Sequence, residues 1–233
     1  MPQLIAMIII VVGAMIYMFQ TFGGTGDKIE GIAQKASVIT EVNNIKNGLK
    51  LAARAGDIKL LDAANSPASK TTLQNLAKLG YFPEQINEQL LASEATTDKN
   101  GYNAISFGGT SKQLDAAAMK ISLVVSDTGL IPGIYVEFPA KGSLGTSGGF
   151  LESQVANDLK SIALIHRSAT SVAGANTVAQ NTTGTGIEKR TPKVGTATGT
   201  APDIVYEDKT NNDDGKFIIY FSDFGSNEVI TAK

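Results

Sequence analysis

The 233-residue sequence contains no cysteine, no tryptophan and a single histidine, His166. Without cysteine there are no disulfide staples, no thiolate metal ligands and no thiol nucleophile. With one imidazole, a multi-histidine metal centre or a zinc motif has no second ring to draw on. Aromatic residues make up only 6% of the chain while Gly numbers 24, a composition that fits small-residue loops, turns and sheet edges better than a ligand-gripping pocket. Strong charge of either sign is also missing: 20 Lys and Arg stand against 22 Asp and Glu, a net −2. Nothing in that balance favours nucleic acid as a partner. No side chain in the first 26 residues is charged at neutral pH, Asp27 being the first that is.

That N-terminal gap is filled by one long apolar run. From Leu4 to Phe22 the chain reads LIAMIIIVVGAMIYMFQTF, with Gln20 and Thr21 as polar side chains only near its far end. About 20 apolar residues rising 1.5 Å each span the roughly 30 Å hydrocarbon core of a bilayer. A core helix of a soluble domain would show a polar face, and this run has none. Signal peptides and signal anchors normally carry Lys or Arg before the apolar stretch, whereas Met1, Pro2 and Gln3 supply neither. The expectation is that Met1 is the first residue of a processed chain; a plain single-pass anchor starting at its initiator Met is the alternative.

Gly23, Gly24 and Gly26 follow within four residues, and each costs about 1 kcal/mol against Ala inside a helix, so a hinge is expected at 23–26. Beyond it, Asp27 to Arg54 places Ile29, Ile32, Ala33, Ala36, Ile39, Val42, Ile45, Leu49 and Ala52 at spacings of three and four. This is an amphipathic helix that Gly56 should stop. Lys28, Glu30, Gln34, Lys35, Glu41, Asn44, Lys46 and Arg54 fall on its other face, to be shared between solvent and neighbours.

An apolar helix at the very start of the chain, a glycine-weakened zone and an amphipathic continuation together resemble the lollipop helix of type IV pilins. The Met1 start is similar to the type IVb branch. Ser69 to Gly80 (SKTTLQNLAKLG) followed by Pro83-Glu84-Gln85-Ile86 resembles the short helices after the long helix in the toxin-coregulated class of that branch. The order of Ala117 to Val125 (AAMKISLVV) and then Leu151 to His166 (LESQVANDLKSIALIH) also follows the family's strand-then-helix order. Two positions depart from the family. Ile5 stands where the family has a glutamate thought to meet a neighbour's N-terminal amine during assembly, and the C-terminal disulfide is impossible without cysteine.

In the remaining head, Leu73, Leu76, Ala77 and Leu79 form one apolar face, Gly80 caps that helix, and Pro83 opens a second one through Ile86, Leu90 and Leu91. Asn100-Gly101 is a hairpin signal before the run Tyr102 to Phe107. Met119 to Val125 and Ile134 to Phe138 read as strands, and Leu151 to Ile165 as a helix. Ser168 to Pro202, rich in Thr, Ala and Gly, reads as a long surface loop with room for a short edge strand. Ile204 to Glu207 and Lys216 to Phe221 read as a C-terminal hairpin closing the sheet.

Candidate sites in the head are thin. Asn212, Asp214 and Gly215 match three positions of a calcium loop, but Thr210 and Phe221 hold its first and twelfth places, so a solvated turn is the better reading. His166 reads as a cation at a helix C-terminus. Gly145-Thr146-Ser147-Gly148-Gly149 lacks the Gly-Lys-Thr ending of a phosphate loop and reads as a loop and helix cap. Asn181-Thr182-Thr183 matches a glycosylation sequon. No nucleophile–base pair and no paired carboxylates stand out, so neither enzyme chemistry nor a cofactor is expected.

The expected fold is α+β: a long N-terminal hydrophobic helix packed on a mainly antiparallel sheet head with short helices. Residues 1–22 form the membrane and filament-core helix, 23–26 the hinge, 27–55 the amphipathic half and 56–233 an extracytoplasmic head. The resemblance implies a structural subunit of a bacterial surface filament serving adhesion, aggregation or motility. Its partners would be copies of itself, the inner membrane before assembly and the assembly machinery. Leu4, Ile5, Ile8, Ile9, Val12, Ile16, Phe19 and Phe22 would carry filament assembly. A minor pilin or secretion pseudopilin, and a membrane-anchored binding or sensor domain, are the alternatives.

Overall fold

The computed structural model describes residues 31–60, 71–92, 99–109, 118–140, 142–207 and 211–232. The apolar spacing of the amphipathic segment gives a helix across 31–55 (α1). Gly56, at φ +77°, ends it: the Gly56 N–H donates to Ala53 O at 3.0 Å and the Asp57 N–H to Ala52 O at 2.9 Å. This Schellman geometry satisfies two of the helix's last carbonyls. The buried seam of α1 is Val38, Val42, Ile45, Leu49, Ala52 and Ala53. Ile32, Ala33 and Ala36, read from the sequence as part of that seam, are exposed instead. In those first turns the described neighbours include Phe150 beside Gly31 and Asp158 beside Lys35, both on one later helix.

After the two-residue strand Lys59–Leu60 (β1), helices Leu73–Lys78 (α2) and Glu84–Ala92 (α3) pack on each other. Thr72 caps α2 by accepting from the Asn75 N–H at 3.3 Å, which satisfies one orphan donor of the first turn. The central sheet comprises Gly101–Asn103 (β2), Lys120–Val124 (β3), Gly133–Glu137 (β4), Ala163–His166 (β5) and Lys216–Phe221 (β8). Its order is β2-β3-β4-β8-β5 and every pairing is antiparallel. Helices Gly142–Thr146 (α4) and Gly148–Leu159 (α5) precede β5, and Gly186–Arg190 (α6) follows it. The small pairs Ala197–Thr198 (β6) with Val205–Tyr206 (β7), and β1 with Thr231–Ala232 (β9), stand outside the main sheet. The fold is therefore α+β with an antiparallel sheet.

Directly paired residues share a sheet face. Tyr102, Ile121, Val136 and Phe217 form one such row, and α1 lies over it. The Tyr102 hydroxyl donates to Glu41 Oε2 at 3.0 Å, and Lys46 Nζ sits 4.7 Å from the Phe221 ring centroid. On the opposite face Tyr135 donates to Thr170 O at 3.1 Å, and a 3-10 turn at Val172–Thr177 lies against β3. Both faces are covered, and the buried side chains of α1, α2, α3, α5 and the sheet form one hydrophobic cluster.

Three expectations are corrected. Leu151 to Ile165 is not one helix: α5 ends at Leu159, and Ala163–His166 is a strand. Leu159, Ile162 and Ile165 keep a helical spacing, but the open edge of β8 takes the backbone of 163–166 into its ladder, a case of sheet pairing overriding local period. The C-terminal run does not form a hairpin with Ile204 to Glu207, because β7 pairs with β6 and β8 lies between β4 and β5. Phe217 to Phe221 are each 1% exposed or less, so this strand needs a neighbour on each side and cover on both faces. Finally, Tyr102 to Phe107 is a strand only to Asn103, and a 3-10 turn occupies Ile105–Phe107. Asn100, expected in a tight hairpin, instead donates to Leu123 O at 2.8 Å and accepts from the Leu73 N–H at 3.2 Å, joining α2 to β3.

Gly48 is where α1 and the α2–α3 connection come closest. A Cβ there would lie 2.6 Å from Phe82 Cε1 and 2.7 Å from Tyr81 O. Gly48→Ala is expected to cost about 1–3 kcal/mol through overpacking. Urea unfolding of the detergent-solubilised chain, followed by circular dichroism, checks this.

Candidate functional site

The residues expected to carry assembly, Leu4, Ile5, Ile8, Ile9, Val12, Ile16, Phe19 and Phe22, lie outside the described residues, as do Gly23, Gly24, Gly26 and Met1. Among the described residues no helix is long and apolar enough to cross a membrane. What the structure places is the continuation of that segment, the surface of α1.

Lys35, Lys46 and Lys50 turn toward the head, while Arg54 is paired to it but keeps a 65%-exposed side chain. Lys35 Nζ pairs with Asp158 on α5 at 2.7 Å. Lys46 and Lys50 reach Asp223 Oδ2 at 3.2 and 3.4 Å, and Lys50 lies 3.7 Å from Glu228. Arg54 donates to Glu228, which also accepts from the Gly225 N–H at 2.6 Å. Glu41, read from the sequence as part of the polar face, is 4% exposed; it accepts from Tyr102 and from the Ser106 N–H at 2.9 Å. Burial and then the adjacent Glu41 carboxylate push the Tyr102 phenol far above its ordinary value, so it stays a donor to Glu41.

The consequence is an outward face without charge. The exposed positions of α1 from 32 to 51 are Ile32, Ala33, Ala36, Thr40, Asn47 and Leu51. At 3.6 residues per turn these six fall within a stripe about 100° wide. Ile32 is 65% exposed and Leu51 53%. Where the stripe meets α5, Ile32 and the 62%-exposed Phe150 flank a groove of about 470 Å³, completed by Lys35, Thr146, Ser147 and Gln154. Sequence reasoning missed Phe150. Its signal was a large aromatic in the first turn of a helix whose apolar period starts one residue later, at Leu151.

The Lys46, Lys50 and Arg54 ladder also does the work of a C-terminal staple. It holds 223–228 against α1, and β1 pairs with β9 just beyond. Burial raises the Asp223 carboxyl, but hydrogen bonds and attraction from Lys46 and Lys50 outweigh it and leave the group below its ordinary value. Burial likewise opposes ionisation of Glu228, and the Gly225 N–H, Arg54 and Lys50 overcome it.

The other candidate sites resolve into structural contacts. Glu152, fully buried, accepts from Arg167 Nε at 2.8 Å and from the Gly215 N–H at 2.9 Å. Arg167 also donates to Asp213 and to Ser153 Oγ at 2.7 Å. Burial raises the Glu152 pKa despite Arg167 and Gly215. Asp213 and Asp214 stay exposed, as the solvated-turn reading has them, and are tied in at one side each: Asp213 accepts from Ser153 Oγ on α5 at 3.2 Å and Asp214 from the Lys216 N–H at 3.0 Å. Among the described residues no three His, Cys, Asp or Glu side chains are grouped to hold a metal ion. His166 is not a helix cap: it lies fully buried in β5 with Nε2 2.9 Å from Ser168 Oγ. Gly145 to Gly149 is not an open loop but the junction of α4 and α5, and no Ser147 side-chain cap is formed. Asn181 is 4% exposed and accepts from the Gly184 N–H at 3.1 Å, so the sequon is closed to a transferase in the folded chain. A second recess of about 400 Å³ lies between Asp127 and Arg190, with Thr128, Leu130, Asn181 and Lys189 also lining it, and Gln180 donates to Asp127 there.

Comparison with protein families, with curated proteins and with solved structures finds no match to this chain.

Asp223 and Glu228, both lowered, contribute stability that is complete above the ordinary carboxylate value and lost as pH falls through their folded values. Glu152, raised, has the opposite sign: its share is complete in acid and declines as pH rises through its folded value. Thermal melts are expected to fall in temperature between about pH 5 and pH 2. The Asp223→Asn/Glu228→Gln double variant should be less stable near neutrality and should lose less on acidification.

Proposed function

We propose that the chain is a subunit of a type IV pilus-like surface filament of a bacterium, assembled through the apolar run Leu4–Phe22. The single observation that carries this reading is the match between two surfaces. An uncharged run precedes α1 in the sequence, and the exposed face of α1 continues uncharged from Ile32 to Leu51. A helix destined only for solvent would use Lys and Glu on that face; here Lys35, Lys46 and Lys50 are turned to the head and paired, and the first exposed charge beyond the stripe is Arg54, itself paired with Glu228.

In this reading the long helix is a lollipop stick on the α+β head, with Gly23, Gly24 and Gly26 as its hinge. The run waits in the inner membrane and then leaves it to pack against copies of itself at the cell surface. The exchange is energetically permitted, because each large apolar side chain kept from water contributes roughly 1.5–3 kcal/mol in either setting. The Lys and Arg ladder on Asp223 and Glu228 takes the place that a disulfide holds in the pilins this chain resembles. Ile5 favours a second reading, a minor pilin or pseudopilin, because the N-terminal amine has no carboxylate at that position to pair with, and an unpaired buried charge is costly.

Electron microscopy of sheared surface material, with mass spectrometry of its N-terminus, tests the proposal. Filaments of this chain are expected, and Val12→Asp should abolish them, since a carboxylate at the centre of an apolar helix costs about 2.5–3.5 kcal/mol on insertion. A detergent-soluble monomer as the sole surface form contradicts it.

A further inference from the structure

We propose that the groove between the start of α1 and the start of α5 is the seat for the apolar run Leu4–Phe22 of a second copy of this chain. The inference rests on the filament reading and adds to it where the run of one copy meets the head of another.

Two large apolar side chains at one groove are left to solvent, Ile32 at 65% and Phe150 at 62% exposure. They stand on different helices yet close together: a Cβ placed on Gly31 would lie 3.9 Å from Phe150 Cε1. Among the described residues the groove wall carries one cation, Lys35, and that charge is already taken by Asp158 at 2.7 Å. An occupant therefore meets two large apolar side chains, the uncharged Thr146, Ser147 and Gln154, and a cation that is already paired. A charged or strongly polar partner would lose hydration there without gaining a pairing group, whereas an uncharged apolar helix loses nothing by entering. Leu4 to Phe22 is such a segment, and eight residues separate it from Gly31, which lines the groove.

A second copy fits better than the chain's own run. The chain's own run is tethered to Gly31 by eight residues that include Asp27, Lys28 and Glu30, charges that would follow it to an apolar lip where they are poorly tolerated. The neighbour's run brings no charge with it. Packing along the outward stripe of α1 also joins the groove to Ala33, Ala36 and Thr40, small side chains that permit close helix approach.

Because the chain has no cysteine, pairs of introduced cysteines report contacts without background. Phe150→Cys is combined in turn with Ile9→Cys, Val12→Cys and Ile16→Cys in the full chain. Surface filaments are sheared, oxidised and run without reductant. At least one pair is expected to give a ladder of dimers and higher species, and Val205→Cys on β7, 63% exposed, is expected to give none with the same partners. Gln154→Cys, which keeps the ring, replaces Phe150→Cys if that change stops assembly. Phe150→Asp should lower filament yield by about tenfold or more with an unchanged thermal melt. Filaments with no ladder from any pair overturn the proposal, and so does a crosslinked monomer of altered mobility, which would mean that each run occupies its own groove. Absence of filaments from the unmodified chain would instead bring down the filament reading itself.

Discussion

The seam between α1 and the sheet is the constraint on which the rest depends. Val38, Val42, Ile45, Leu49 and Ala52 are 1% exposed or less, and they sit in the same hydrophobic cluster as Tyr102, Ile121, Val136 and Phe217. A helix sunk that deeply into an antiparallel sheet cannot rotate, so the identity of its outward stripe is fixed by what its inward side must bury. Glycine at 48 lets α1 approach Tyr81 and Phe82, and Glu41 uses its carboxylate to tie the helix to β2 and the turn after it. Each contact confirms the same rotation about the helix axis.

Charge is distributed by the same logic. A surface helix ordinarily sends its Lys and Glu outward, but here Lys35, Lys46, Lys50 and Arg54 bend to acids on α5 and on the C-terminal segment. Exposed pairs of this kind contribute little singly, about 0–1 kcal/mol. The ones on Glu228 differ because that carboxylate is buried, and removing its cations would leave it unpaired. The ladder thus fastens 223–228 to α1 in a chain that has no disulfide to do so. It also removes charge from the face that the proposed assembly uses.

The sequence made α1 legible because a period of three and four persists over seven turns, and it made β3, β4 and β8 legible because their β-branched and aromatic runs are bounded by turn residues. It did not distinguish β5 from the end of α5, since Ile162 and Ile165 extend the helical spacing and only the unpaired edge of β8 decides otherwise. Nor could it say which way the charges of α1 point. Lys46 and Lys50 look like solvent-facing residues until Asp223, some 175 positions later, is brought beside them. His166 was misjudged for the same reason, its place in the sheet being set by pairing with Ile218 rather than by its neighbours in sequence. The apolar run needs no structure to be noticed, but the groove that would receive it exists only once Ile32 and Phe150 are folded side by side.

The central claim is that the outward stripe of α1 is covered by other copies of the chain. Reactivity of Ala36→Cys toward a membrane-impermeant maleimide measures this directly, with Val205→Cys as the exposed reference. Ala36→Cys is predicted to be protected in intact filaments and to react as readily as the reference after the filaments are dissociated in detergent. Equal labelling of the two positions in intact filaments would contradict the account.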